Sequence, residues 1–239
     1  MKYFKSILFF LSTLVVLSCS SDDGKISFTL LQLNDVYEIS SIQGGKFGGM
    51  ARVKTIHKEL LKENKNTLLV MAGDFLNPSL IGTMKYNGER IRGKQMVEVM
   101  NAMNFDVAAI GNHEFDLSKK DLKTRMDESV FPWISSNVFN RTKDSIKPFY
   151  QEINGLKTPI KGSFIKEISD NDGTKIKIGF ISVCIPSNPK DYVLYKEMFS
   201  SIQKEYESIK NKVDLVIGLT HVKIEHDREI AKLLPNIPL

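Results

Sequence analysis

Four apolar runs of strand length each end in side chains that bind metals or move protons. Leu30-Leu31-Gln32-Leu33 leads into Asn34-Asp35, Leu68 to Ala72 into Gly73-Asp74, Val107 to Ile110 into Gly111-Asn112-His113-Glu114, and Leu215 to Leu219 into Thr220-His221. In open α/β sheets the ligand crevice lies beyond the carboxyl ends of the strands, so the repetition predicts that oxygen and imidazole donors converge on one edge. Singly, each carries little weight: an Asp after a strand often caps the next helix, and a lone His is usually packing or surface. Together, carboxylate, amide oxygen and imidazole suit two divalent cations such as Mn, Fe or Zn. Asp74 is placed to bridge cations about 3.5–4 Å apart, with Gly73 allowing a close approach. Such a pair activates a water as hydroxide and neutralises phosphate oxygens during in-line displacement, so phosphoester hydrolysis is the predicted chemistry.

The elements that must position these groups alternate in period. Phe28 to Leu33, Leu68 to Ala72 and Val107 to Ile110 read as strands, with a fourth short one from Phe131 to Ser135. Between them, Met50, Val53, Ile56, Leu60 and Leu61 share one helical face, as do Met96, Val97, Met100 and Met103, and Lys119 to Met126 reads as a third helix. Further on, Ser163 to Ile168 and Lys175 to Val183 flank Asp170-Asn171-Asp172-Gly173, a hairpin signal. A helix from Met198 to Ile209, a strand from Val213 to Leu219 and a helix near Asp227 to Leu234 follow. The pattern predicts a layered α/β domain with mixed strand pairing.

The chain has 239 residues, 42% of them hydrophobic and 26% charged, enough for one sizeable core. Its net charge of +5 comes from lysines scattered among acids. No aromatic-interleaved basic stripe appears, so no nucleic-acid partner is expected. Cys19 and Cys184 allow at most one bridge, which excludes a disulfide-stapled fold, and Cys184 reads as a buried small hydrophobe. Lys2 and Lys5 precede an apolar stretch from Ile7 to Leu17, the pattern of an export signal. Val16-Leu17-Ser18-Cys19 resembles a loose bacterial lipobox, in which Cys19 becomes the lipidated residue; the plainer alternative is ordinary signal cleavage. The predicted division is therefore a signal peptide over 1–18, a lipid-anchored polar tether over 19–26, and a domain over 27–239.

Leu33-Asn34-Asp35-Val36, Gly48-Gly49-Met50-Ala51-Arg52, Gly73-Asp74-Phe75, Gly111-Asn112-His113-Glu114-Phe115-Asp116, Ser136-Asn137-Val138 and Leu219-Thr220-His221, in that order, resemble the N-terminal metallophosphatase domain of the 5′-nucleotidase and UDP-sugar hydrolase family. This family belongs to the calcineurin-like phosphoesterases. The resemblance implies their layered α/β metallophosphoesterase fold, two divalent metals and a nucleotide-like phosphate ester as substrate. By it, Asp35 ligates one metal, Asp74 bridges, and Asn112 and His221 ligate the second. His113 faces the substrate phosphate as a catalytic group, oriented by Asp116; a carboxylate on an imidazole fixes its tautomer and supports its charge.

Two departures stand out. Tyr37 occupies the place where the family usually has His; it serves as a poorer phenol ligand that needs the metal's help to ionise, leaves that coordination position to water, or packs on the site wall as a loop aromatic. Family members also continue to a Gly-His-x-His motif supplying further ligands, whereas this sequence ends at Leu239 without one. His57 lies on a helix and His226 beside Asp227 at a helix start, so neither is expected to substitute. The expectation is an incomplete centre and a chain of weak or no activity; the alternative is a noncatalytic surface lipoprotein using the fold as a binding or scaffold module. The loop from Gly44 to Gly49 lacks the Gly-Lys-Ser/Thr ending of a P-loop and reads as a tight or flexible loop.

Overall fold

The computed structural model describes residues 24–187 and 190–237. The expected signal peptide and Cys19 lie outside the described residues.

The first half is built on a parallel sheet. Strands β1 (Thr29–Leu33), β2 (Thr67–Met71), β5 (Val107–Ala109) and β6 (Trp133–Ile134) lie side by side in that order. They are connected through α1 (Met50–Glu63), the short α2 (Leu80–Thr83), a small hairpin β3 (Lys85–Tyr86) and β4 (Glu89–Arg90), α3 (Lys94–Met103) and α4 (Lys119–Glu128). Every residue of β2 is buried, as a central parallel strand covered on both faces requires. Its side chains alternate between two cores. Leu69 and Met71 join Met96, Val97 and Met100 under the helices, while Leu68 and Val70 face Ile178, Phe180 and Ile217 of a second sheet.

That second sheet orders β11 (Ser163–Ser169), β12 (Lys175–Ile181) and β14 (Leu215–Gly218). The β11–β12 hairpin is antiparallel and β12–β14 parallel, which is the mixed pairing expected. Its outer face packs on α5 (Met198–Ile209) and α6 (Ile224–Leu233) through Val216, Ile202 and Ile230. The layers therefore run helix, sheet, sheet, helix. The strands divide between two stacked sheets because both β2 and β12 carry apolar residues on both faces.

Between residues 138 and 195 lie five short strands that periodicity does not announce: β7 (Val138–Arg141), β8 (Ile146–Lys147), β9 (Tyr150–Ile153), β10 (Leu156–Pro159) and β13 (Val193–Tyr195). Each has two to four residues, too few to display a period, and β10 is exposed throughout.

Candidate metal centre

The β1–β2 ladder continues past both strands. Ala72 N–H donates to Leu33 O (2.7 Å) and Asp35 N–H to Gly73 O (3.2 Å), which sets Asp35 beside the turn that carries Asp74. Both aspartates have left-handed backbones, φ 54° and 58°, a conformation that costs a non-glycine residue about 1–2 kcal/mol. Two glycines make the approach feasible. A Cβ on Gly73 would stand 2.8 Å from Gly111 Cα, and one on Gly111 would stand 2.1 Å from Asp74 Oδ1.

Glu114 holds this strained turn. Its side chain is fully buried, and its two oxygens accept four backbone N–H groups: Phe75 (2.8 Å) and Leu76 (3.1 Å) on Oε1, Asp74 (2.9 Å) and Gly111 (2.7 Å) on Oε2. Burial first, then the Asp74 charge, push its pKa up, against the pull of those donors. In the sequence Glu114 is one acid of the Gly-Asn-His-Glu-Phe-Asp hexapeptide. Nothing in residue type alone separates an acid that ties down two loops from one in solvent.

The second sheet delivers His221. Its backbone bridges Cys184 in parallel, with His221 N–H on Val183 O (2.9 Å) and Ile185 N–H on His221 O (2.8 Å). Buried Asn137 steadies that segment, its amide pairing with both the N–H and the carbonyl of Cys184. On the ring, Nδ1 donates to Ala72 O (2.8 Å), which turns Nε2 to Asp74 Oδ2 at 3.1 Å. Burial alone would lower the His221 pKa, but the Asp74 hydrogen bond and charge outweigh it and raise it to about 9. Asp74 is likewise held below its usual range: burial opposes this, and His221 outweighs burial.

Asp35, Asp74 and His221 thus each offer a ligand atom, and these atoms lie within 4.8 Å of one another. Tyr37 stands between the carboxylates, its hydroxyl 3.0 Å from Asp35 Oδ1 and 3.2 Å from Asp74 Oδ2. Its phenol is pushed upward, by burial first and then by Asp74. Asn112 sits between Gly111 and His113, and His113 N–H donates to Asp74 Oδ1 (2.8 Å). The His113 Nδ1 to Asp116 Oδ2 distance is 2.7 Å, and that hydrogen bond is the main reason the imidazole pKa is raised. Asn77 Nδ2 also donates to Asp116 Oδ2 (3.1 Å). A cavity of about 400 Å³ opens beside Asp35 and His221, walled by Gln32, Asn34, Thr220 and Asp227.

The donor set fits divalent cations: two carboxylates and an imidazole Nε2, with Nδ1 of that ring already committed to a carbonyl, the outer contact that orients a metal-binding histidine. Other polar groups raised by the sequence stand apart. His57 is buried on α1 beside Lys54, His226 packs its ring on Phe199, and Cys184 is a buried thiol whose pKa burial raises. The Gly44–Gly49 stretch closes as a tight loop through an Ile42–Phe47 bridge, with the Arg52 guanidinium on Gly45 and Gly48 carbonyls.

Residues 28–235 match the calcineurin-like phosphoesterase family. The chain belongs to that family. Similar curated proteins include a snake venom 5′-nucleotidase of Naja atra, 30% identical over 227 residues covering 90% of this chain and 40% of its own length. The 5′-nucleotidase of Homo sapiens is 29% identical over 228 residues, covering 90% of this phosphoesterase chain and 37% of the relative. The chain thus spans well under half the length of these relatives. Among solved structures, a 5′-nucleotidase precursor from Thermus thermophilus superposes with a TM-score of 0.66 at 24% identity, covering 85% of this chain and 39% of the other. A calcineurin-like phosphoesterase from Bacillus subtilis gives 0.63 at 22% identity, over 82% of this chain and 62% of the other. These likenesses support the phosphoesterase fold that the ordered motifs imply.

Proposed function

We propose that this chain is the metal-binding part of an exported phosphoester hydrolase of 5′-nucleotidase type, acting on a nucleotide-like phosphate ester. The observation that carries the reading is the meeting of Asp35, Asp74 and His221 at one rim, with the His113–Asp116 pair alongside. Asp35 would hold one divalent cation, Asp74 would serve both, and the Asn112 amide and His221 would hold the second. When bound, the cations supply Lewis acidity, acidifying a water and neutralising phosphate oxygens. The chain's own residues do the rest. Asp116 accepts from His113 Nδ1, favouring the charged imidazole, so that Nε2–H steadies the phosphate and donates a proton to the departing oxygen. Glu114 keeps Asp74 and His113 at fixed spacing while they act. The proposed export signal spans 1–18, with Cys19 lipidated to anchor the domain in the periplasm or at the cell surface.

Four protein ligands leave two cations under-coordinated, so the chain by itself is proposed to turn over weakly or not at all. The test is metal content together with hydrolysis of a nucleoside 5′-monophosphate in Mn²⁺. Metal uptake abolished by Asp74→Ala, and any turnover lost in Asn112→Ala and His113→Ala, supports the reading; full activity in the last two refutes their roles. A second reading, a noncatalytic surface module, draws on the Tyr37 hydroxyl lodged between the two carboxylates. A folded, metal-free, inert protein is its expected result.

A further inference from the structure

A cleft of about 400 Å³ separate from the metal centre lies between α4 and the strands β7 and β9, lined by Lys119, Lys120, Lys123, Asn140, Phe149 and Tyr150. Its walls and rim differ in kind. Phe149 and Tyr150 give it apolar aromatic surface, and three lysines of the first turns of α4 surround that surface. Lys123 is engaged by Asp127 and lies 4.1 Å over the Tyr150 ring. Lys119 and Lys120 are exposed and make no ion pair among the described residues.

We propose that this cleft is a second ligand site, taking a small aromatic anion. A flat ring lies against Phe149 and Tyr150 beside the Lys123 ammonium, and the anion meets Lys119 and Lys120. Neither half of that chemistry suffices alone. A neutral apolar molecule leaves both ammonium groups unmatched, and an inorganic anion leaves the aromatic wall wet. The occupant also leans on the nucleotidase-like turn from behind. Phe149 packs on Phe115 with ring centroids 5.8 Å apart, and Phe115 lies between Glu114 and Asp116.

The test uses 8-anilinonaphthalene-1-sulfonate, which combines aromatic rings, an N–H and a fixed anion, titrated by fluorescence into the whole protein. N-phenyl-1-naphthylamine, the same rings and N–H without the sulfonate, is the comparison. The sulfonate probe is expected to bind at least tenfold more tightly, and Lys119→Glu with Lys120→Glu to weaken it at least tenfold. Both positions are exposed, so the fold should survive, and circular dichroism checks that it does. Tyr150→Ala is a second, uncharged variant and should also weaken the probe severalfold. Charge reversal at two exposed α1 lysines, Lys58→Glu with Lys62→Glu, should leave binding unchanged. Equal affinity for the two probes, or equal losses in the two reversal variants, would overturn the proposal.

Discussion

Replacing Glu114 by Gln keeps the shape of the side chain and removes its charge, which makes it a direct probe of how the metal centre is held. The carboxylate takes two backbone N–H groups on each oxygen, at 2.7–3.1 Å. An amide has one oxygen, so whichever way it turns, two N–H groups face an NH₂ donor. Charge-assisted hydrogen bonds contribute about 1.5–3 kcal/mol each, so losing two removes roughly 3–6 kcal/mol. Part of that returns, because burial and the neighbouring Asp74 both disfavour the ionised acid. The net expectation is a destabilisation of about 2–4 kcal/mol, roughly 5–15 °C in Tm for a domain of this size. The assay is urea unfolding of the metal-free protein in chelator, followed by a Mn²⁺ titration of the folded variant. Affinity should fall with stability, since the left-handed turn at Asp74 loses its restraint. A Glu114→Gln protein within about 0.5 kcal/mol of the parent, the range of an ordinary surface change, would refute the reasoning.

Four further outcomes follow from the same geometry. His221 must lose its proton at Nε2 to hold a cation, and Asp74 raises its pKa to about 9, so binding at pH 7 should release about one proton and tighten about tenfold per pH unit towards pH 9. Calorimetry in two buffers of different ionisation enthalpy reads that proton. In the metal-free protein the sign is opposite: the raised pKa gives stability present below the unfolded value near 6.5 and lost as pH rises through about 9, visible as a lower urea midpoint at pH 10 than at pH 6. Gly111→Ala places a Cβ 2.1 Å from Asp74 Oδ1 and should cost about 2–3 kcal/mol in the same unfolding assay; unchanged stability would mean that the turn yields easily. Asp116→Asn should bring the His113 titration down towards an ordinary imidazole value by NMR, because the Asp116 hydrogen bond is the main cause of its rise; an unmoved curve would dissolve the pair.

Much of this molecule was legible in one dimension. The apolar runs at Leu68, Val107 and Leu215 and the 3.6-residue faces of α1, α3 and α5 show their periods over enough residues to be read, because burial on defined faces dictates them. The donors after those strands were legible for the same reason: a parallel sheet places successive strand ends on one edge, so order along the chain already groups Asp35, Asp74 and Asn112. The five short strands β7, β8, β9, β10 and β13 were not, being too short for a period. What tertiary structure alone decided is how the groups meet. His221 comes from a different sheet, and only the stacking of the two sheets brings its ring to Ala72 O and Asp74. The reach of the Tyr37 hydroxyl to Asp74, and three of the four N–H groups gathered by Glu114, depend on contacts between segments 37 to 40 residues apart. Residue type fixes what a side chain can donate or accept, but which partner it finds is a property of distance, and distance is settled by packing.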